Sequence, residues 1–290
     1  MNNITHRIIS CGTGARIKVK ENVLFIGMII FATTLIIMLV GLSGCSESPT
    51  KNSDTAQGEV KLYIVDAPGD YDEVNIVITE VSVHYASDDT ITGWTVISDS
   101  IRTINLLNLT NGNFDILGSN HLRVGRYSQI RLKIGVGSNV VVNGQTHSLN
   151  IPSGQQSGLK LNHQFDIEAN ALYEMTLDFD AARSIIHTGN NQYIMRPVIR
   201  VVANHISGSI SGIISPAIAY SRVTTTVDSD SISTDANVIN GNFKLMVLPI
   251  GVYSITVNSG IDAYRDTTVT GISVVAGQNT NIGTVVLRQL

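Results

Sequence analysis

From Glu59 onward the hydrophobic positions recur with period two. Val60, Leu62 and Ile64 alternate with Lys61 and Tyr63, and Val74, Ile76 and Ile78 alternate with Asn75 and Thr79 before Val81, Val83 and Tyr85 resume in shifted phase. Such alternation puts one face of a strand in a core and the other in water. The phase change at Thr79-Glu80 predicts a bulge or a break. Ile130, Leu132, Ile134 and Val136 form a further row opposed to Gln129, Arg131 and Lys133, and Tyr173, Met175, Leu177 and Phe179 oppose Glu174, Thr176, Asp178 and Asp180. Asn143-Gly144, set between Val140-Val141-Val142 and Thr146-His147-Ser148-Leu149, predicts a tight hairpin, because both turn positions need positive φ. Tyr193 to Val202 reads as a strand that Pro197 confines to an edge or a bulge. Helical period never extends over three turns, and Phe114 to Leu117 and Ala181 to His187 are the best short candidates. Many short strands with few helices predict an all-β protein built of antiparallel sandwiches.

One segment departs from this pattern. Val23 to Val40 is an uncharged run of 18 mostly apolar residues, preceded by Arg7, Arg16, Lys18 and Lys20. Leu42-Ser43-Gly44-Cys45 follows, and it resembles the lipobox of bacterial lipoproteins. The resemblance implies cleavage before Cys45, a signal peptide over residues 1–44, and a diacylglycerol thioether on the Cys45 sulfur. Two or three acyl chains anchor firmly where one is marginal. An uncleaved transmembrane helix is the alternative, and either reading leaves residues 46–290 outside the cytoplasm. Ser46 stands where some lipoproteins carry an inner-membrane Asp signal, which points to the outer membrane. Residues 45–57, with no apolar side chain from Ser46 to Thr55, read as a flexible tether.

Charge sharpens the picture. The 290 residues hold 19 Lys and Arg against 23 Asp and Glu, for a net −4. Without the four cations and Glu21 of the leader the remainder carries −7, so no nucleic-acid partner is expected, and an acidic body should stand off an anionic membrane. The only other cysteine is Cys11, within the leader, so the mature chain is expected to lack disulfides.

The texture changes to Gly, Ser, Thr and Val near Asn204-His205, dividing a domain over residues 58–205 from another over 206–290. The first carries Val65-Asp66-Ala67-Pro68, Asn105-Leu106-Leu107-Asn108-Leu109, Gly125-Arg126-Tyr127-Ser128-Gln129-Ile130, Leu177-Asp178-Phe179-Asp180 and Arg196-Pro197-Val198. In that order these phrases resemble the bacterial domain of unknown function 4382. The second, with Asn240-Gly241-Asn242-Phe243, Leu248-Pro249-Ile250-Gly251-Val252-Tyr253 and Val274-Val275-Ala276-Gly277, resembles the carboxypeptidase regulatory-like, transthyretin-type domain. That resemblance implies a seven-stranded sandwich with Phe243 and Tyr253 as core or corner aromatics.

The strongest polar constellation is Asp66, Asp70, Asp72 and Glu73 after the first strand, with Asp178 and Asp180 on one strand face. It reads three ways: a turn in which Pro68 fixes φ and Asp caps backbone N–H groups, a Ca²⁺ site made by Asp66, Asp70, Asp72, Asp178 and Asp180, or a catalytic carboxylate pair. Pro152 to Gly158 lacks the frame of a nucleophile elbow and reads as a loop. The histidines show no zinc spacing. Arg126, Arg131 and Lys133, with Tyr127 assigned to their face, form a cation and aromatic strip that could bind acidic sugars or carboxylates or pair with neighbouring acids. Trp94 is a sugar platform or a core anchor, and Asp228-Ser229-Asp230 with Asp235 a solvated loop. The function expected is non-catalytic binding or scaffolding at the cell envelope, with the membrane, through the lipid, and a glycan or envelope protein as partners and no required cofactor. The alternative is an envelope hydrolase or a Ca²⁺-dependent glycan-binding module using the Asp66–Asp72 loop with Asp178 and Asp180.

Overall fold

The computed structural model describes residues 56–89, 91–152, 157–190 and 192–290, which fall in one compact unit. Val23–Val40, the Leu42–Cys45 motif, the tether to Thr55 and residues 153–156 lie outside the described residues. Among the described residues no helix is long and apolar enough to cross a membrane.

Thirteen strands build a first body: β1 (Gln57–Ala67), β2 (Glu73–Tyr85), β3 (Trp94–Ser98), β4 (Arg102–Asn105), β5 (Asp115–Arg123), β6 (Gly125–Ile134), β7 (Asn139–Val142), β8 (Gln145–Asn150), β9 (Leu159–Ile167), β10 (Leu172–Asp180), β11 (Ile185–His187), β12 (Tyr193–Met195) and β13 (Ile199–Ala203). Seven build a second: β14 (Ser207–Ser215), β15 (Arg222–Val227), β16 (Asp230–Asp235), β17 (Asn242–Pro249), β18 (Gly251–Asn258), β19 (Thr267–Val274) and β20 (Asn279–Val286). The first body packs the sheet β13-β10-β1-β5 against a nine-stranded sheet whose main path runs β11-β12-β8-β7-β2-β6-β9, with β3 and β4 on the other side of β2. The second packs β17-β14-β20 against β16-β15-β18-β19.

The expected sandwiches are present, but the sheets are mixed. β1 with β10, β8 with β12 and β14 with β20 run parallel, and every other ladder is antiparallel. In each body the initial strand pairs in parallel with a strand from much later in the chain, a non-local pairing that leaves no local pattern. The two cores are separate. Val60, Leu62, Ile64, Met175 and Leu177 of one sheet meet Val74, Ile76, Ile130 and Leu132 of the other, while Phe243, Leu245, Ile255 and Val257 centre the second.

Several local expectations resolve. The phase change in β2 is a bulge between Ile78 and Glu80 within one continuous strand. Asn143 and Gly144 both have positive φ, 50° and 74°, and join β7 to β8. β12 ends at Met195, and the chain crosses through Pro197 to the opposite sheet as β13, so Tyr193–Val202 is two strands rather than one. Of the two helix candidates, Ala181–His187 forms a single turn over Ala181–Ser184 and then strand β11, and Phe114–Leu117 is extended, with Asp115–Leu117 opening β5. A 3-10 turn over Leu106–Leu109, capped by Asn105, was not anticipated. In the second body Phe243 is core, and the Tyr253 hydroxyl donates to the Pro249 carbonyl at 2.8 Å, pinning the corner between β17 and β18. Asp228-Ser229 is the exposed turn of the β15–β16 hairpin, and Asp230 and Asp235 at the two ends of β16 pair with Arg183 and Arg222.

Candidate functional site

The parallel register of β1 and β10 decides where the acidic residues point. Cα partners on paired strands share a face, and Val60, Leu62, Ile64 and Asp66 lie opposite Tyr173, Met175, Leu177 and Phe179. Asp66 therefore occupies the core-facing place that the alternation of β1 reserves for an apolar side chain. It is 6 % exposed; one carboxylate oxygen accepts from the Ala181 N–H at 3.0 Å, and the other is buried without a protein partner. Burial pushes its pKa from an ordinary 3.8 to about 8; the Ala181 N–H opposes the shift, and the nearby charges of Asp180 and Asp178 add to it.

Asp178 lies on the opposite face of the same sheet, beside Val65, and pairs with Arg200 of β13 at 2.6 Å. Burial raises its pKa despite the guanidinium. Asp180, two residues on, caps the Ala181–Ser184 turn through the Arg183 N–H at 2.8 Å and holds the Arg183 side chain at 2.6 Å. Asp70 is exposed and reaches Arg222 of the second body at 3.3 Å, and Asp72 accepts the Gly144 N–H of the β7–β8 turn at 2.8 Å. Glu73 accepts from Asn75 on its own strand.

The five aspartates thus fall in separate places. Asp66 and Asp178 are divided by the sheet, and only Asp178 and Asp180 share a face, each with an arginine. Among the described residues no group of three or more His, Cys, Asp or Glu side chains is arranged to hold a metal ion. What the acidic residues do build is a seam between the bodies. Val65 and Val202 of the first pack on Val247 and Met246 of the second. Arg183 pairs with Asp230 at 3.2 Å, and Arg222 is shared by Asp235 and Asp70. Asn111, held at φ 55°, makes three bonds across the seam: its N–H donates to Thr234 Oγ1 at 3.0 Å, its Nδ2 to the Asn242 carbonyl at 3.1 Å, and its Oδ1 accepts the Lys244 N–H at 2.7 Å.

The cation strip is also rearranged. A bulge between Tyr127 and Gln129 turns Tyr127 into the core, 1 % exposed, where it stacks on Phe165 at 5.2 Å; burial pushes its phenol up to about 12. Arg131 and Lys133 stay on the outer face of the nine-stranded sheet, and the aromatic side chain beside Arg131 is Trp94, carried there by β3 alongside β2. The Arg131 guanidinium carbon is 4.2 Å, and the Lys160 ammonium 5.6 Å, from the Trp94 ring centroid. Arg131 Nε donates to Ser82 Oγ at 3.0 Å and its Nη2 to Glu80 at 2.8 Å, while Lys133 takes the other Glu80 oxygen at 2.7 Å. Burial opposes the Glu80 charge, but the bonds from Lys133, Ser82 and Arg131 outweigh it and hold the carboxyl below its ordinary value. Arg126 pairs with Asp166 at the edge.

A feature the sequence reading missed is a cleft of about 720 Å³ beside β9 and β10, lined by Phe165, Tyr173 and His205 and by Asp166, Glu168 and Glu174. Its aromatic wall continues the Tyr85, Tyr127, Phe165 stack into Tyr173 and His205. Phe165 and Tyr173 both lie in strand alternations, but only pairing across the two sheets brings them together.

No curated protein matches this chain. Among solved structures, a type II cohesin-X-dockerin complex from Acetivibrio cellulolyticus aligns at 16 % identity over 28 % of this chain and 58 % of that one, with a TM-score of 0.23. The TIE protein of Bacillus anthracis aligns at 11 % identity over 81 % of this chain and 35 % of that one, with a TM-score of 0.24. The shaft pilin SpaA from Lactobacillus rhamnosus GG aligns at 8 % identity over 81 % and 98 %, with a TM-score of 0.23. Residues 57–197, which take in β1 to β12 of the first body, match the family described as domain of unknown function (DUF4382).

Proposed function

We propose that this is a lipid-anchored protein of the cell envelope with a non-catalytic role in binding or scaffolding, in which a DUF4382 body at residues 58–205 and a carboxypeptidase regulatory-like body at 206–290 are presented on a short tether from Cys45. The observation that carries the non-catalytic part is the engagement of the acidic residues. Asp178 neutralises Arg200, Asp180 caps a helical turn, Asp72 fixes a hairpin, Asp70 reaches Arg222, and Asp66 is buried beneath the Ala181 N–H. A glycosidase needs two carboxyl groups facing one substrate across a gap of several ångströms. Asp66 and Asp178 face opposite sides of a sheet. The seven strands of the second body and its Tyr253 corner support the carboxypeptidase regulatory-like reading. The lipid-anchor reading rests on Leu42-Ser43-Gly44-Cys45 behind the apolar run, and the outer membrane is its expected location.

Two measurements test this. Intact mass of the purified protein should give a chain beginning at Cys45 with added acyl mass, and Cys45→Ser should move it from the membrane fraction to the soluble one; unchanged fractionation refutes the anchor. For the role, the protein should show no turnover against a panel of glycans and esters, and its melting temperature should not rise with Ca²⁺. Turnover lost in Asp66→Ala or Asp178→Ala variants that still fold would make it an envelope hydrolase instead.

A further inference from the structure

The outer face of β3-β2-β6-β9 carries a charge opposite to that of its body. Residues 58–205 contain ten Lys and Arg against fifteen Asp and Glu, yet this face gathers Arg131, Lys133 and Lys160 around Glu80, with the self-neutralising Arg126–Asp166 pair at its edge. Cross-strand register sets the rows: Ser82, Arg131 and Lys160 lie side by side, and His84, Gln129 and Asn162 form the next row. Trp94, opposite His84 on β3, closes the second row and lies under the cations of the first.

The arrangement is held before any partner arrives. Arg131 is fixed by Ser82, Glu80 and the Trp94 ring, and none of these bonds uses its Nη1. Gly158 makes room for it, since a Cβ there would stand 2.7 Å from Arg131 Cγ. Lys160 is exposed and reaches over the Trp94 ring. In the next row Gln129 Nε2 donates to Asn162 Oδ1 at 2.8 Å, which leaves an amide oxygen and an amide NH₂ group of that pair for other partners. His84 is buried, with its ring nitrogens at Ser128 Oγ and the Asp89 carbonyl, and serves as a floor.

We propose that this face binds an acidic polysaccharide, with a uronate carboxylate seated at Lys160 and Arg131 Nη1 and the sugar hydroxyls on the Gln129–Asn162 row. The chemistry selects that occupant. A guanidinium already held by Ser82, Glu80 and the Trp94 ring offers Nη1 as a fixed charged donor, and Lys160 adds a second cation, which together favour an anionic oxygen. Three cations offset by one anion are too few for a nucleic acid, whose affinity rests on many phosphate contacts. A protein partner would want an apolar centre, and here Val96 beside Trp94 is an exposed aliphatic set among charged and amide side chains. A flat row of amides and cations suits a hydroxyl-rich chain that binds through water and many weak bonds. The inference rests on the binding role proposed above, but not on the anchor.

The test is affinity electrophoresis and calorimetry of the purified full chain in detergent with polygalacturonate, with methyl-esterified polygalacturonate and dextran as neutral controls. The expected result is retardation by polygalacturonate alone, weakening several-fold as salt is raised. Lys160→Gln should weaken binding about tenfold and Lys160→Glu abolish it, with melting temperatures unchanged because the side chain is exposed. No binding to polygalacturonate, equal binding to the esterified polymer, or wild-type affinity in Lys160→Glu overturns the proposal. Because the assay uses purified protein, none of these results bears on the Cys45 fractionation, and a soluble Cys45→Ser chain that still binds polygalacturonate would separate the two readings.

Discussion

Asp66→Asn replaces a buried carboxyl by an amide of the same shape, and its effect should depend on pH in a defined direction. In the folded protein the Asp66 pKa stands at about 8, against 3.8 ordinarily. The folded chain therefore keeps a proton that the unfolded chain releases. Below about pH 4 both states hold the proton and the group costs nothing; as pH rises, folding must oppose deprotonation at about 1.36 kcal/mol for each pH unit. The cost stops growing near pH 8, where the folded carboxyl ionises as well. The ceiling is about 6 kcal/mol, and relaxation or water entry would reduce it to a few. Asparagine does not titrate, and its Oδ1 can still accept the Ala181 N–H. Urea unfolding of both proteins at several pH values from about 4 to about 8 should show near-equal stability at the acid end. The variant should gain steadily toward the alkaline end. Taking the difference cancels the titrating groups that do not interact with Asp66, while Asp178 and Asp180, whose charges add to its shift, remain part of the difference. A difference that stays flat across the range would show that the Asp66 carboxyl reaches water, and a variant weaker at pH 8 would show that its charge is wanted.

Two further substitutions address the seam. Asn111→Ala removes two side-chain bonds to the second body and leaves the Lys244 N–H without its acceptor; a loss of about 1–3 kcal/mol is expected, with one calorimetric transition broadening or splitting into two. An unchanged single transition would show that the apolar contact of Val65, Val202, Val247 and Met246 couples the bodies unaided. Arg200→Ala leaves the Asp178 carboxylate buried and unpaired, which should cost about 3–5 kcal/mol, and adding Asp178→Asn should recover much of it; no recovery in the double variant would assign the loss to packing of the arginine stem.

The elements were legible wherever the signal was local. Asn143-Gly144 demanded two positive φ angles and produced them, and the β2 alternation located its own bulge at Thr79-Glu80 through the phase change. The Tyr127 bulge gave no such warning. Tyr127 and Gln129 read as in phase, and only the pairing with β9 inserts the extra residue that sends Tyr127 inward. Trp94 escaped for a different reason: β3 is five residues long, too short for a period to declare which face its first residue takes.

Asp66 is the most instructive case, because two valid rules compete over it. As the residue before Ala67-Pro68 it resembles a turn carboxylate; as the fourth member of the row Val60, Leu62, Ile64 it belongs to the core. β1 runs on through Ala67, so the row prevails and the carboxyl group is buried. The strand is extended that far by its parallel partner, since Ala67 pairs with Asp180 at the end of β10. The same pairing places Asp178 and Asp180 at the seam, where Arg200 and Arg183 meet them and Arg183 also reaches Asp230. A single non-local ladder thus fixes both the buried acid and the ionic contact with the second body. Mutations that shorten the β1–β10 pairing should therefore loosen the two bodies from each other before either core melts, because the seam depends on the last residues of that ladder and the cores on its middle.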